Sequence, residues 1–443
     1  MTPSRGTLAA VLFAVFAWLL LKALDVIGPR FSAGPVGYLL NSLLPPSDAV
    51  AVYANPDLGA GNKILEYLLP AFMDLGSMIR CPILRPDAEC MRRGRYVPAF
   101  VREHAYAPVR LTHDEATHSV ERKGGGEPLE IVLLTPKISE DPDVSSDPPL
   151  PPPPLVIWMH GGGFVIGEAR DAYMVDLMTR MAAHGDDEEW GGDFRRAVWA
   201  SVEYRLAPEH PYPAQLEDCV LAIEYLLKRH VLDDGTRLGG GGVHLAGASA
   251  GADLAAMAGL HALKSRLRVD SILADVPALP VQIRRDFGAG VLSVFDSASY
   301  RRNWYSRIPG VGWSEWFWGA YTGCPQQPTG EEGWDRPEAC EKDAQYFVGG
   351  VTSAKEWRIA KSRNGGRLPP LLVVSAKGDI FKDGAQLLLG AYTAADPKAT
   401  VSHVVASSSH GMAFAFDAEA STEVFNTWGP HVCLECAEGI SVS

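Results

Sequence analysis

The chain has 443 residues, of which 47% are apolar and 21% charged, a composition that suits a large folded core and excludes a mostly disordered or collagen-like chain. A net charge of −13 argues against nucleic acid as a partner, because such binders normally carry a basic surplus that neutralises phosphates. The length allows two or three domain-sized units, or one enlarged core with insertions.

Residues 6–21 carry no charge and are dense in Leu, Ala, Val and Phe, after a short lead that contains Arg5. Spanning a bilayer takes roughly 20 helical residues, a length reached by continuing past Lys22 and Asp25 to Ile27, with the Lys22 side chain snorkelling to the headgroups. No small-x-small cleavage site follows in Lys22-Ala23-Leu24-Asp25. Residues 1–30 therefore read as an uncleaved signal anchor, with a cleaved signal peptide as the alternative. The expected orientation puts the catalytic domain on the lumenal or external side. Seven cysteines are too few for a disulfide scaffold. Cys81 with Cys90, and Cys324 with Cys340, are candidate bridges in a lumenal domain. Cys219 shares helical spacing with Leu216, Val220, Ile223 and Leu227 and reads as a buried thiol. Cys433 and Cys436, with His431 nearby, lack a second pair at zinc-site spacing, so no metal is expected.

Residues 31–120 mix turns with apolar helical patterns such as 64–78 and read as a helical amino-terminal or cap region. Residues 121–443 read as an α/β domain with insertions at 137–154 and 284–350. Its first strand is expected at 129–134, followed by an acidic, Pro-rich loop that favours extended backbone. A regular alternation then begins. Strand 155–159 precedes a helix from Tyr173, strand 197–202 a helix over 215–229, and strand 243–246 a helix over 250–263. Two more apolar strands are expected at 371–375 and 400–406. Strands alternating with helices predict a mostly parallel central sheet with helices on both faces. The four glycines Gly239, Gly240, Gly241 and Gly242 lack the Gly-Lys-Ser/Thr of a phosphate loop and read as a flexible connection. The acidic run 186–189 reads as a solvated loop.

Gly247-Ala248-Ser249-Ala250-Gly251 falls between a short apolar strand and an Ala-rich helix, the context in which Gly-x-Ser-x-Gly forms a nucleophile elbow. A serine hydroxyl needs a base, and the base needs an orienting carboxylate. Asp379 follows strand 371–375 and His410 follows strand 400–406, so all three groups fall just past the carboxyl ends of expected strands. Asp383 is the reserve carboxylate. His160-Gly161-Gly162-Gly163-Phe164 directly follows strand 155–159, and its glycines let backbone N–H groups turn toward an oxyanion. The expected donors are the N–H groups of Gly162, Gly163 and Ala250. His160 reads as a structural anchor of that loop.

These segments, with Tyr204-Arg205-Leu206-Ala207-Pro208-Glu209-His210-Pro211, resemble the hormone-sensitive-lipase group of α/β-hydrolases, which includes arylacetamide deacetylase and many carboxylesterases. The resemblance runs from about Leu155 to Phe416. It implies an α/β-hydrolase fold with a helical cap and a serine hydrolase that cleaves carboxylic esters without metal or organic cofactor. It further implies that Tyr204 to Pro211 is a structural loop beneath the site, and it favours an endoplasmic-reticulum anchor with a lumenal catalytic domain, secretion being the alternative. Substrates would be small acyl esters or lipid-like esters, with amide deacetylation close by. The oligomeric state is left open. Acyl transfer to an alcohol would use the same residues, and a small-ligand receptor on the same scaffold is a third reading, against which His410 argues. The family usually has an acidic residue before the nucleophile and Gly-Asn or Gly-Asp after the elbow glycine, where this chain has Ala248 and Ala252-Asp253. Trp304, Trp313, Trp316, Phe317 and Trp318, in the second insertion, are candidates to wall an acyl pocket.

Overall fold

A computed structural model describes residues 112–137, 152–184, 196–228, 238–281, 284–286, 291–293, 297–303, 311–323, 344–408, 410 and 418–432. The apolar amino-terminal segment, the helical pattern at 64–78, the acidic run 186–189 and every cysteine but Cys219 lie outside them.

The strands are β1 (His113–Val120), β2 (Leu129–Pro136), β3 (Leu155–Met159), β4 (Val198–Glu203), β5 (Val243–Ala248), β6 (Ser271–Asp275), β9 (Leu371–Ala376) and β10 (Val401–Ala406), with a separate small ribbon of β7 (Arg284–Asp286) and β8 (Val291–Ser293). The first eight form one sheet in the order β1-β2-β4-β3-β5-β6-β9-β10. β1 with β2 and β2 with β4 run antiparallel, and the remaining neighbours are parallel. Parallel strands must be covered on both faces, and their residues read as continuous apolar runs. Accordingly β3, β5, β6 and β9 are buried along their whole length. Helices α1 (Ala172–His184) and α9 (Ala418–Val432) cover one face with Met174, Leu177, Met181, Val424 and Trp428. Helices α2 (Ala214–Lys228), α3 (Ala250–Lys264), α7 (Ala354–Arg363) and α8 (Lys382–Ala395) cover the other. Between β6 and β9 the chain also forms α4 (Ala298–Asn303), α5 (Val311–Thr322) and α6 (Ala344–Phe347).

The central helix α3 explains its own composition. Only His261 and Lys264 escape burial, so it has no polar face, and its small residues permit close approach to the sheet. A Cβ on Gly259 would lie 2.7 Å from Ile272 Cδ1. Cys219 is buried on α2, as its spacing predicts.

Three expectations change. The boundary at residue 120 falls one strand late, because β1 lies within the segment read as helical. β1 is a polar sheet edge (His-Asp-Glu-Ala-Thr-His-Ser-Val) buried only at its two ends, which leaves no apolar run to detect. β6 was not anticipated, since its five residues place Ser271 and Asp275 at the ends of a short apolar core. The glycine run at 239–242 is packed rather than a loose connection. Gly241 N donates to Pro153 O and Leu155 N to Gly242 O, and Cβ atoms on Gly240 and Gly241 would strike Pro152 at 2.3 and 2.4 Å. These glycines thus seat the carboxyl end of the Pro-rich segment against the entry to β5.

Asp218 on α2 ties the β1–β2 turn and the 204–211 loop to the core. It accepts from Arg122 Nε and Nη2 at 2.9 and 3.0 Å, and from Arg205 N at 2.8 Å. Its side chain is 1% exposed. Removing one partner of a buried ion pair strands the other. Asp218→Ala is expected to lower unfolding free energy by ~3 kcal/mol or more in a urea titration.

Candidate active site

The elbow is set by close backbone approaches at two glycines. Cβ atoms on Gly247 and Gly251 would lie 2.2 Å from Gly251 O and 2.0 Å from Met159 O, respectively, so only glycine fits at either position. Between them Ser249 adopts φ 56°, ψ −124°, a region that costs a non-glycine residue about 1–3 kcal/mol and persists only when its surroundings impose it. Ser249 N donates to Asp275 O at 2.8 Å, while Ser249 O accepts from Ala252 and Asp253 N–H groups, locking the turn into α3.

Ser249, Asp379 and His410 come together despite their separation in sequence. His410 Nδ1 is 2.8 Å from Asp379 Oδ2, and His410 Nε2 is 2.7 Å from Ser249 Oγ. Asp379 accepts through its other oxygen from Phe381 N at 2.9 Å, so both carboxylate oxygens are engaged. A carboxylate can only accept, so Nδ1 carries the proton and Nε2 is left to accept from the serine hydroxyl. The acid and histidine are both buried. Their loops are joined by backbone bonds: Lys377 N donates to Ala406 O and Gly378 N to Ser408 O. Asp383 is not part of this set; its carboxylate accepts from Ser299 N at 2.8 Å.

The 160–164 loop lies directly over the elbow. A Cβ on Gly161 would be 3.0 Å from Ala248 O and 3.4 Å from Ser249 Cβ. Gly162 and Gly163 have φ of 119° and 59°, where a side chain is strained, and Cβ atoms there would meet Ile166 O at 2.1 Å and the Phe317 ring at 2.4 Å. Among the described residues, no acceptor takes the N–H of Gly162, Gly163 or Ala250. His160 is buried and stacks on Tyr204 with ring centroids 4.1 Å apart. Tyr204 donates its hydroxyl proton to His160 O at 2.7 Å, which leaves His160 Nδ1 as donor to Gly161 O at 2.8 Å. Burial holds the His160 imidazole below its usual range and thus neutral, the condition of a structural anchor.

Aromatic residues of α5 support this loop. Phe317 covers Gly163 and clusters with Val165 and Ala207, while Trp318 and Tyr321 pack on Phe164 at 5.5 and 3.8 Å. Trp318 is thus buried beneath the loop. Trp304 and the side chains of Trp313 and Trp316 lie outside the description.

One buried carboxyl near the site was not anticipated. Asp275 ends β6 opposite Ala248 on β5 and Val374 on β9, and it accepts a short hydrogen bond from Tyr173 Oη. Thus a carboxyl on the adjacent strand flanks the position where the family resemblance implies an acidic side chain and this chain has Ala248. Burial pushes the Asp275 carboxyl up to about 7, against the Tyr173 hydrogen bond and the attraction of His410, and with the Asp379 charge adding to the rise. No periodicity marks such a group, because a strand-ending Asp reads as a turn residue.

The geometry has counterparts among known proteins. A family model for the α/β-hydrolase fold matches residues 156–414. Neutral cholesterol ester hydrolase 1 of Rattus norvegicus is 36% identical over 141 residues, 30% of this chain and 32% of that protein. Arylacetamide deacetylase of Bos taurus is 30% identical over 171 residues, 38% of this chain and 37% of that protein. The chain therefore matches about a third of the length of these relatives. A hyperthermophilic esterase from Pyrobaculum calidifontis superposes with a TM-score of 0.54 at 19% identity, covering 84% of this chain and 98% of that one. A thermostable esterase from Pseudomonas putida gives a TM-score of 0.53 at 17% identity, covering 84% and 97%. At these identities the two structures speak to the fold alone.

A raised carboxyl pKa makes a folded protein bind a proton that the unfolded chain has released, so its stabilising effect is complete below the unfolded value and lost as pH rises through the folded value. For Asp275 that window runs from the ordinary 3.8 to about 7. Asp275→Asn, which cannot ionise, is expected to gain melting temperature relative to the parent as pH rises from about 4 to about 7. A constant difference across that range would contradict the assignment.

Proposed function

This chain belongs to the α/β-hydrolase fold family, and on that footing we propose that it is a serine hydrolase that cleaves carboxylic esters through an acyl-enzyme. The observation that carries the proposal is the unbroken relay from Asp379 through His410 to Ser249, with both contacts below 3 Å and Nε2 left free to accept the serine proton. In this reading Ser249 Oγ attacks the ester carbonyl while His410 Nε2 takes its proton. Asp379 keeps the proton on Nδ1 and stabilises the imidazolium that forms. The N–H groups of Gly162, Gly163 and Ala250 stabilise the developing oxyanion, with the dipole of α3 behind them. His410 then returns the proton to the leaving alkoxide, and water repeats the sequence on the acyl-enzyme. No step calls for a metal or an organic cofactor.

Small acyl esters and lipid-like esters are the proposed substrates, with amide deacetylation close by; the name of one matched relative speaks of cholesterol esters and that of another of arylacetamides, which are amides. The uncharged run at residues 6–21 supports membrane attachment through the amino terminus; its flanking charges do not set the orientation, and the proposed placement of the catalytic domain on the lumenal side of the endoplasmic reticulum rests on the family resemblance. Among the described residues no helix is long and apolar enough to cross a membrane. Full-length protein is therefore expected to stay with membranes through alkaline carbonate washing, and a chain lacking residues 1–30 to be released. Release of both would contradict the anchor.

Hydrolysis of p-nitrophenyl acetate, butyrate and octanoate tests the chemistry. Ser249→Ala is expected to lower kcat by roughly 10⁴-fold or more with the fold retained, and Asp379→Asn to lower it by a comparable factor. Equal rates in the parent and Ser249→Ala would contradict the proposal and make ligand binding on the same scaffold the leading account.

A further inference from the structure

One described piece of the second insertion reaches the candidate site through that site's backbone. Helix α4, six residues long, lies between β6 and β9 in sequence, about 80 residues before the turn that carries Asp379. Among its described residues, Ser299 and Asn303 both reach that turn. Asn303 is buried and donates through Nδ2 to Lys377 O at 3.2 Å and to Asp379 O at 3.0 Å. Ser299 donates through Oγ to Ile380 O at 2.9 Å and accepts from Asp383 N at 3.2 Å, while its own N–H donates to Asp383 Oδ2.

The turn needs these bonds. Its N–H groups are satisfied from within or from β10: Lys377 N by Ala406 O, Gly378 N by Ser408 O, Asp379 N by Ala376 O and Phe381 N by the Asp379 carboxylate. The carbonyls of Lys377, Asp379 and Ile380 face the other way, and the donors that reach them come from α4. A buried carbonyl without a donor costs about 1–3 kcal/mol. The two Asn303 bonds also bracket the Gly378-Asp379 pair, one on the peptide group preceding Gly378 and one on the peptide group following Asp379. They thereby restrain the backbone from which the Asp379 carboxylate projects.

We propose that Asn303 and Ser299 are positioning residues that hold the Asp379 carboxylate at hydrogen-bond distance from His410, so that the 284–350 insertion completes the catalytic machinery as well as adding surface. The inference rests on the proposed role of Asp379. It also accounts for Asp383, which serves as an anchor for α4 in place of a spare catalytic acid. Neither Asn303 nor Ser299 touches the reacting atoms; both act through the turn.

A double-mutant cycle on the full-length chain with p-nitrophenyl butyrate tests this. Asn303→Leu keeps the side-chain size and removes both donors. Its kcat is expected to fall roughly 10- to 100-fold, the scale of an approximately 1 Å misplacement, with KM changed less than about threefold. In an Asp379→Asn background the same substitution is expected to lower kcat no further, because the carboxylate it positions is gone. Equal fold-losses in the two backgrounds, or no loss in either, would overturn the proposal and leave Asn303 a merely structural contact. If Asp379→Asn alone retained full kcat, the triad reading itself would fall and this inference with it, an outcome distinct from additivity. Should Asn303→Leu not fold, Ser299→Ala and Ser299→Thr carry the same cycle. Thr keeps the hydroxyl and is expected to retain parental kcat within about threefold, whereas Ala is expected to show the loss. Equal activity of the two would overturn the role of the hydroxyl.

Discussion

The start of α3 meets the end of β3 backbone against backbone, without an intervening side chain. Gly251 faces the carbonyls of Met159 and His160, and Gly247 faces both Gly251 and Met159. Because no Cβ fits at either glycine, the turn between β5 and α3 is tighter than an ordinary strand-to-helix connection, and the residue at its apex is forced into positive φ. That constraint raises Ser249 above the sheet and at the same time brings the 160–164 loop over it. The glycines of that loop answer the same crowding from the other side, with Ile166 and Phe317 occupying the space where side chains would be. Sheet, elbow and the 160–164 loop are thus one packing solution, and the strain at Ser249 is maintained by all of them.

A second layer fixes the polar partners. Three loops leave the carboxyl ends of β5, β9 and β10, where a parallel sheet gathers its functional groups. The β9 and β10 loops are laced together through their backbones, and α4 closes the remaining side of the acid turn. Next to the elbow, at the end of β6, lies Asp275, bonded to Tyr173 and with its carboxyl pushed up to about 7 by burial. Below neutral pH this reduces the negative charge beside Asp379, which on the proposed reading is the carboxylate that must stay ionised. Desolvation sharpens every one of these interactions, since the groups lie in a region of low effective dielectric.

Much of this is legible in the sequence, for reasons that differ between elements. Strands β3, β5 and β9 announce themselves as mainly apolar runs, broken only by His244 in β5 and Ser375 in β9, because both of their faces are covered. The elbow and the 160–164 loop are legible because close backbone approach demands glycine, and glycine at fixed offsets from a strand is visible. Asp379 and His410 are legible by their place after such strands. β1 is hidden because a sheet edge facing water carries polar residues with no period of its own. Asp383 reads as the reserve to Asp379, and the contacts of Asp379 with His410 and of Asp383 with Ser299 separate them. Asn303 and Asp275 carry no sequence signal at all. Each matters through a partner in a distant segment, and a single sequence does not encode that pairing in any local pattern. The glycines at 239–242 read as slack because close packing against Pro152 and Pro153 is likewise a long-range fact.

The central claim is that Ser249 forms a covalent acyl intermediate under the control of His410. Intact-mass and peptide mass spectrometry of the full-length protein, quenched in acid within the first turnovers of p-nitrophenyl butyrate, measures it directly. The account predicts a single butyryl group on the peptide containing Ser249, absent from Ser249→Ala and strongly reduced in His410→Ala. Turnover with no adduct in any time window would leave the acyl-enzyme unsupported, and an adduct on a different residue with Ser249 unmodified would contradict the account.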